Sequence, residues 1–142
     1  MIELPLKVRA GVVTAVRMVL GWHLAYLGVW ALTTPGGFSW FGRFQCARWI
    51  GGAFFRQLAD SAAMGLVDAL FPWLLLFAGA LLLLGRFVKS AAAFGILYLL
   101  LAYVLNPPHF GHTGESHFLF VDRNLVEVAM LFFVMTWKEV SE

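Results

Sequence analysis

Only one cysteine, Cys46, occurs in the 142 residues. That excludes an intrachain disulfide and any cysteine-based metal cluster within the chain. Charge is also scarce. Asp, Glu, Lys and Arg make up 13% of the sequence, where a soluble domain carries roughly a quarter. A net charge of +2 without a dense basic run gives nucleic acid no electrostatic footprint. There is no nucleophile triad, P-loop, dinucleotide fingerprint or CxxC, so catalysis complete within this chain is not expected. Internal repeats and low-complexity linkers are missing too. Hydrocarbon is what abounds: 61% of residues are hydrophobic and the mean hydropathy is +0.82. The composition defines an integral membrane protein whose partner is the lipid bilayer, with a length suited to one domain over residues 1–142.

Four segments are long enough to span, given a need for about 20 apolar residues: Gly11 to Leu32, Gly65 to Leu84, Val88 to Leu105, and Phe118 to Trp137. Helices are the expected form, because backbone groups in lipid must be satisfied within the segment. The fold expected is all-α, an up-and-down integral membrane four-helix bundle. Lys7 and Arg9 resemble the basic start of a signal peptide, but Arg17 breaks the apolar run and no small-x-small cleavage site stands out, which favours a retained helix. Lys7, Arg9, Arg86, Lys89 and Lys138 fall on one side of such a bundle, and Arg43, Arg48, Arg56 and Arg123 on the other. The lysines place both termini in the cytoplasm.

Two loops then face outward. In the first, Thr33 to Met64, the residues Cys46, Ile50, Phe54 and Leu58 recur every fourth position, with Arg48, Arg56 and Asp60 half a turn away. This predicts an amphipathic helical segment lying in the interface or dipping into the bundle. Gly51-Gly52 weakens it as a straight helix, and Trp40 and Trp49 suit the headgroup level.

The fourth segment reads FLFVDRNLVEVAMLFFVMTW and carries Asp122, Arg123, Asn124 and Glu127. A charge at the centre of a spanning helix costs several kcal/mol, so each needs a partner, a ligand or water. Asp122 and Asn124 sit where helix N-caps are useful. Arg123 and Glu127 share a face. Glu127 lies ten residues from Trp137, roughly 15 Å deep. Arg17, roughly 9 Å in from Gly11 by the same count, is its expected partner. The alternative is that Arg17 snorkels to the headgroups and Glu127 is protonated.

His23, Tyr26 and Trp30 form one stripe on the first segment, beside Trp22. Aromatic stripes are more often packing than a cofactor box, but a histidine in a membrane is a functional candidate by default. Its imidazole can hydrogen-bond a carbonyl and pass a proton, and the rings can stack on a flat quinone headgroup. Haem is not expected, since no second axial ligand is evident. The second outer loop, NPPHFGHTGESH, crowds His109, His112, Glu115 and His117 together. Their spacing matches no defined metal motif. A solvated loop is the default and no metal is assigned; a proton-conducting lip over a membrane site is the intermediate possibility. Asp68 either lines that lip or caps its own helix.

Several stretches resemble the DoxX/DoxD family of small four-helix membrane proteins. VRMVLGWHLAYLGVW is similar to that family's first helix, AGALLLLGRF to the end of its second, and YVLNPPHFGHTGESHFLFVDRNLVEVAML to its Asn-Pro-Pro loop and Asn-Leu-hydrophobic-Glu helix. Many members carry a lysine soon after the helix-one glycine; here Gly28 is followed by Val29-Trp30. The family includes the small subunit of thiosulfate:quinone oxidoreductase and membrane companions of other soluble oxidoreductases. The resemblance therefore implies a quinone-linked membrane subunit of a bacterial or archaeal cytoplasmic membrane, serving a soluble or periplasmic oxidoreductase. His23, Arg17 and Glu127 would carry the chemistry. Trp22, Tyr26, Asp68, His109, Glu115, Asp122 and Arg123 would surround the headgroup. The alternatives are a non-catalytic anchor or assembly factor, docking through Trp40, Phe54 and Phe55, and a small transporter, which would need the chain to form a homo-oligomer.

Overall fold

A computed structural model describes residues 6–34, 39–45, 52–105 and 123–136. Those residues form six helices and no strand: α1 (Leu6–Thr33), α2 (Trp40–Gln45), α3 (Gly52–Ala59), α4 (Met64–Leu84), α5 (Val88–Leu105) and α6 (Arg123–Thr136). The all-helical expectation holds. Helices α1, α4 and α5 are long and apolar enough to cross a membrane. The fourth expected crossing is described only from Arg123 onward, a stretch of 14 residues or about 21 Å. Phe118 to Asp122 lie outside the described residues.

The long helices pack in a ring, α1 on α4, α4 on α5, α5 on α6 and α6 back on α1. The α1–α4 seam is the most extensive, and it is made by missing side chains. A Cβ on Gly28 would lie 2.6 Å from the Leu76 nitrogen, and one on Gly79 would run into the backbone of Ala25. Lipid gives no hydrophobic push between helices, so close backbone approach through small residues is what draws them together. Leu24, Leu75, Leu82, Ala92 and Leu131 fill the centre and are buried, and no polar or charged side chain is buried among the described residues. Large apolar side chains face outward instead: Trp22 is 68%, Phe77 64% and Leu97 66% exposed. In water such a surface would aggregate; it fits contact with a bilayer.

The tight turn between α4 and α5 follows from Gly85. Its φ of 70° is left-handed, the conformation glycine adopts without a Cβ penalty. There its N–H reaches the Leu82 carbonyl (3.2 Å) while that of Arg86 reaches Leu81 (3.0 Å). This is a Schellman-type ending, and it makes α4 and α5 antiparallel neighbours.

The first outer loop differs from expectation in two ways. It holds two short helices, with Cys46, Trp49 and Ile50 outside the described residues. The inward face of α3 is Gly52, Phe55 and Ala59, whereas Phe54 is 63% exposed and Leu58 points outward with it. Trp40 is 1% exposed, packed edge-on against Phe71 (4.9 Å between centroids) and Tyr98 (6.0 Å), with Phe44 at 5.5 Å. Aromatic pairs favour such edge-on arrangements. The loop is therefore a plug for one end of the bundle.

Candidate functional site

Two polar assemblies emerge from the helices. The first joins α1 to α6. The His23 Nε2 atom lies 3.4 Å from Glu127 Oε2, and Arg123 Nε lies 3.6 Å from Glu127 Oε1. The Glu127 side chain is 13% exposed, that of His23 26% and that of Arg123 74%. Arg123 precedes Glu127 by one helical turn, so their approach is set by α6 alone. The His23 contact needs the tertiary fold. Both distances are longer than an ideal charge-assisted hydrogen bond. Tyr98 of α5 is within electrostatic reach of Glu127, Arg123 and Arg43.

The expected Arg17–Glu127 pair is replaced by this one. Arg17 packs over the α4–α5 turn, with its guanidinium where a Cβ of Gly85 would stand. Helical side chains slant back toward the N-terminus, which carries Arg17 away from Glu127. The depth count already favoured His23, which lies roughly 18 Å from Gly11 at 1.5 Å per residue and so matches Glu127 better than Arg17 does. Trp22 and Tyr26 flank His23 on the outward surface of α1, the latter 56% exposed. They neither fill the core nor line an internal box.

The second assembly is organised by Asp68 on α4. It caps α2 across the loop. Asp68 Oδ1 accepts from the Trp40 N–H at 2.6 Å, and Oδ2 accepts from the Ser39 hydroxyl at 2.6 Å and the Phe41 N–H at 3.4 Å. Ser39 Oγ in turn accepts from the Gly42 N–H at 3.2 Å. These are orphan donors of a helix start, satisfied by one residue in sequence and another in space. Gln45 Nε2 donates to Asp60 Oδ1 at 2.8 Å and ties α2 to the end of α3. Asp68 caps α2 and not its own helix, whose N-cap position is Ala63; the loop expected to form a lip with it lies outside the described residues. The signal available in sequence was Ser39 as an N-cap three residues before Gly42; its partner lies 29 residues away and has no local signature. Tyr98 and Gly79 were likewise missed, because neither is unusual within an apolar run.

Asp122, His109, His112, Glu115 and His117 lie outside the described residues. Among the described residues no three His, Cys, Asp or Glu side chains gather as a metal site would require.

The architecture defines a class, an all-helical protein with three helices suited to crossing a membrane and apolar surfaces suited to lipid. Comparison with family models, curated proteins and solved structures returns no match.

Proposed function

We propose that this chain is a quinone-binding membrane subunit of an oxidoreductase, of the DoxX-like kind its motifs resemble, with α6 completing a fourth crossing of a cytoplasmic membrane and both termini inside. The observation that carries the proposal is the 3.4 Å approach of His23 to Glu127 at the α1–α6 seam. Trp22 and Tyr26 stand exposed on α1 beside His23, and it is past them that a lipid-soluble ring would reach the pair from the bilayer. A flat headgroup stacks on the aromatics, its carbonyl oxygen accepts from the imidazole, and Glu127 returns the proton to His23. Reduction of one quinone to quinol takes two electrons and two protons. The electrons come from a partner oxidoreductase, soluble or periplasmic; the protons pass through His23 and Glu127. Arg123, 74% exposed, stands at the rim with its Nε 3.6 Å from Glu127. Arg17 stands too far along α1 to share in this chemistry.

The test is titration of the purified chain with a short-chain ubiquinone, read by tryptophan quenching. His23→Ala and Glu127→Gln each weaken binding about tenfold or more, the effect of losing one hydrogen bond to a charged or shared proton. Undiminished binding in both variants overturns the assignment.

A second role as an anchor is favoured by one observation, the outward face of α3, where Phe54 and Leu58 project from a loop fixed by Asp68. If docking is the whole function, Phe54→Ser with Leu58→Ser abolishes recruitment of the partner oxidoreductase while quinone has no effect on the chain.

A further inference from the structure

At the end of the bundle opposite the aromatic plug, an open cleft of about 1020 Å³ lies between α1, the α4–α5 turn, the start of α5 and the end of α6. It shares no residue with the His23–Glu127 site. Arg17 and Lys89 are the charges on its walls, and Thr14, Ser90 and Thr136 supply hydroxyls. The Thr136 hydroxyl is already donated to the Phe132 carbonyl at 2.8 Å, which leaves Thr14 and Ser90 as the neutral donors. The Arg17 guanidinium occupies the space that a Gly85 side chain would take. Lys89 and Ser90 fall in the first turn of α5, where backbone amides add positive potential. The remaining walls include Val13, Val134 and Met135, so the cleft is cationic at its polar part and hydrocarbon elsewhere.

We propose that this cleft binds a phosphate ester, with Arg17 and Lys89 sharing the phosphate oxygens and the apolar walls taking the attached chain. A guanidinium offers two parallel N–H donors to a phosphate, and a lysine adds a point charge that adapts to the second oxygen. The volume is at the upper end for a ligand cleft, large enough for a glycerophosphate headgroup and the beginning of its acyl chains. The same chemistry is offered by an anionic lipid of the surrounding leaflet and by a soluble phosphate compound.

The experiment uses the full chain, stripped of lipid in a neutral detergent and titrated with phosphatidylglycerol, phosphatidylcholine or inorganic phosphate at constant ionic strength. Binding is read by native mass spectrometry and by the melting temperature. Phosphatidylglycerol is expected to bind about tenfold or more tightly than phosphatidylcholine. Arg17→Gln and Lys89→Gln are each expected to lower that affinity about tenfold, the usual loss of one charge-assisted contact. Arg86→Gln, a charge at the same end but off the cleft walls, should change it less than about twofold, since it does not touch the bound phosphate and acts only through screened solvent. Lipid binding that millimolar phosphate does not displace supports the proposal with lipid as the source; displacement supports it with a soluble phosphate as the source. Equal affinities in wild type, Lys89→Gln and Arg86→Gln, or no binding of either phosphate form, overturn it. Lys89 is exposed, so Lys89→Gln keeps the test decisive even if Arg17→Gln fails to fold. None of these readouts involves quinone, so the two proposals stand or fall separately.

Discussion

Asp68 Oδ1 accepts the backbone N–H of Trp40 at 2.6 Å, across 28 positions of sequence, and this one carboxylate decides where the outer loop sits. Trp40 is seated on Phe71 and Tyr98 by its ring and on α4 by its backbone. Tyr98 in turn lies within electrostatic reach of Glu127. The loop is thus anchored to both α4 and α5, the latter through the Tyr98 ring.

Removing the latch should therefore release the plug. Asp68→Ala leaves two backbone donors of α2 and the Ser39 hydroxyl without their acceptor, at a cost of about 2 kcal/mol for charge-assisted bonds of this kind. The expected outcome is a lower unfolding midpoint in detergent and faster tryptic cleavage after Arg43, which follows Trp40 in α2. Asp68→Asn keeps one acceptor oxygen and should lose about half as much. Unchanged proteolysis in Asp68→Ala would show that the aromatic contacts alone hold the loop.

The α1–α4 seam makes a contrast within a single residue type. Gly79→Ala puts a methyl group into the backbone of Ala25, and neither helix backbone can yield as a side chain would. Overpacking of this kind costs about 1–3 kcal/mol or more. Gly65, on the same helix, has nothing within 4 Å of its Cβ position. Gly65→Ala should stabilise by roughly 0.5–1 kcal/mol, since alanine is the better helix former. Opposite signs in a reversible unfolding titration confirm the seam. A neutral Gly79→Ala would mean that the helices stand further apart than these distances.

How much of this was legible in the sequence follows from the range of each interaction. The long helices could be read because apolar runs, Gly85 and the Pro-Pro pair act locally. The spans expected for α4 and α5, Gly65 to Leu84 and Val88 to Leu105, agree with the observed helices to within one residue. Glu127 stood out because a deep charge is costly anywhere. Its partner is His23 and not Arg17 because a neutral imidazole at matching depth draws less notice in sequence than an opposite charge, and because the slant of helical side chains carries Arg17 the other way. The Asp68–Trp40 latch was not legible, since a carboxylate on one helix and a free amide on another share no sequence period. Nor was the outward turn of Phe54: the four-residue repeat identified an apolar stripe, but the packing face of α3 is set by small Gly52 and Ala59.

The Gly85 turn allows two contributions to be separated. A residue other than glycine at φ 70° carries a left-handed penalty of roughly 1 kcal/mol. A Cβ there also meets the Arg17 guanidinium, but that is the tip of a flexible side chain and can swing clear. Gly85→Ala should thus cost about the backbone term alone, roughly 1 kcal/mol, in wild type and in an Arg17→Ala background alike. A clearly larger cost in wild type than in the Arg17→Ala background would show that the guanidinium is held against the turn.

The last prediction concerns the pair on which the proposed function rests. His23 and Glu127 touch across α1 and α6, and both side chains are mostly sheltered. Contacting polar residues couple by about 0.5–3 kcal/mol, while residues without shared partners add. A double-mutant cycle of His23→Ala and Glu127→Ala, measured by unfolding in mixed micelles, should show coupling of at least about 0.5 kcal/mol. The matching cycle of Arg17→Ala and Glu127→Ala should be additive, because Arg17, nearly two turns before His23 on α1, packs on Gly85 of the α4–α5 turn. The two cycles share the Glu127 substitution, so any general weakening of α6 cancels between them. Coupling confined to the Arg17 cycle would restore the pairing expected from charge alone and move the proton-holding group from His23 to the guanidinium's neighbourhood. The proposed headgroup site beside Trp22 and Tyr26 would then lack its proton donor.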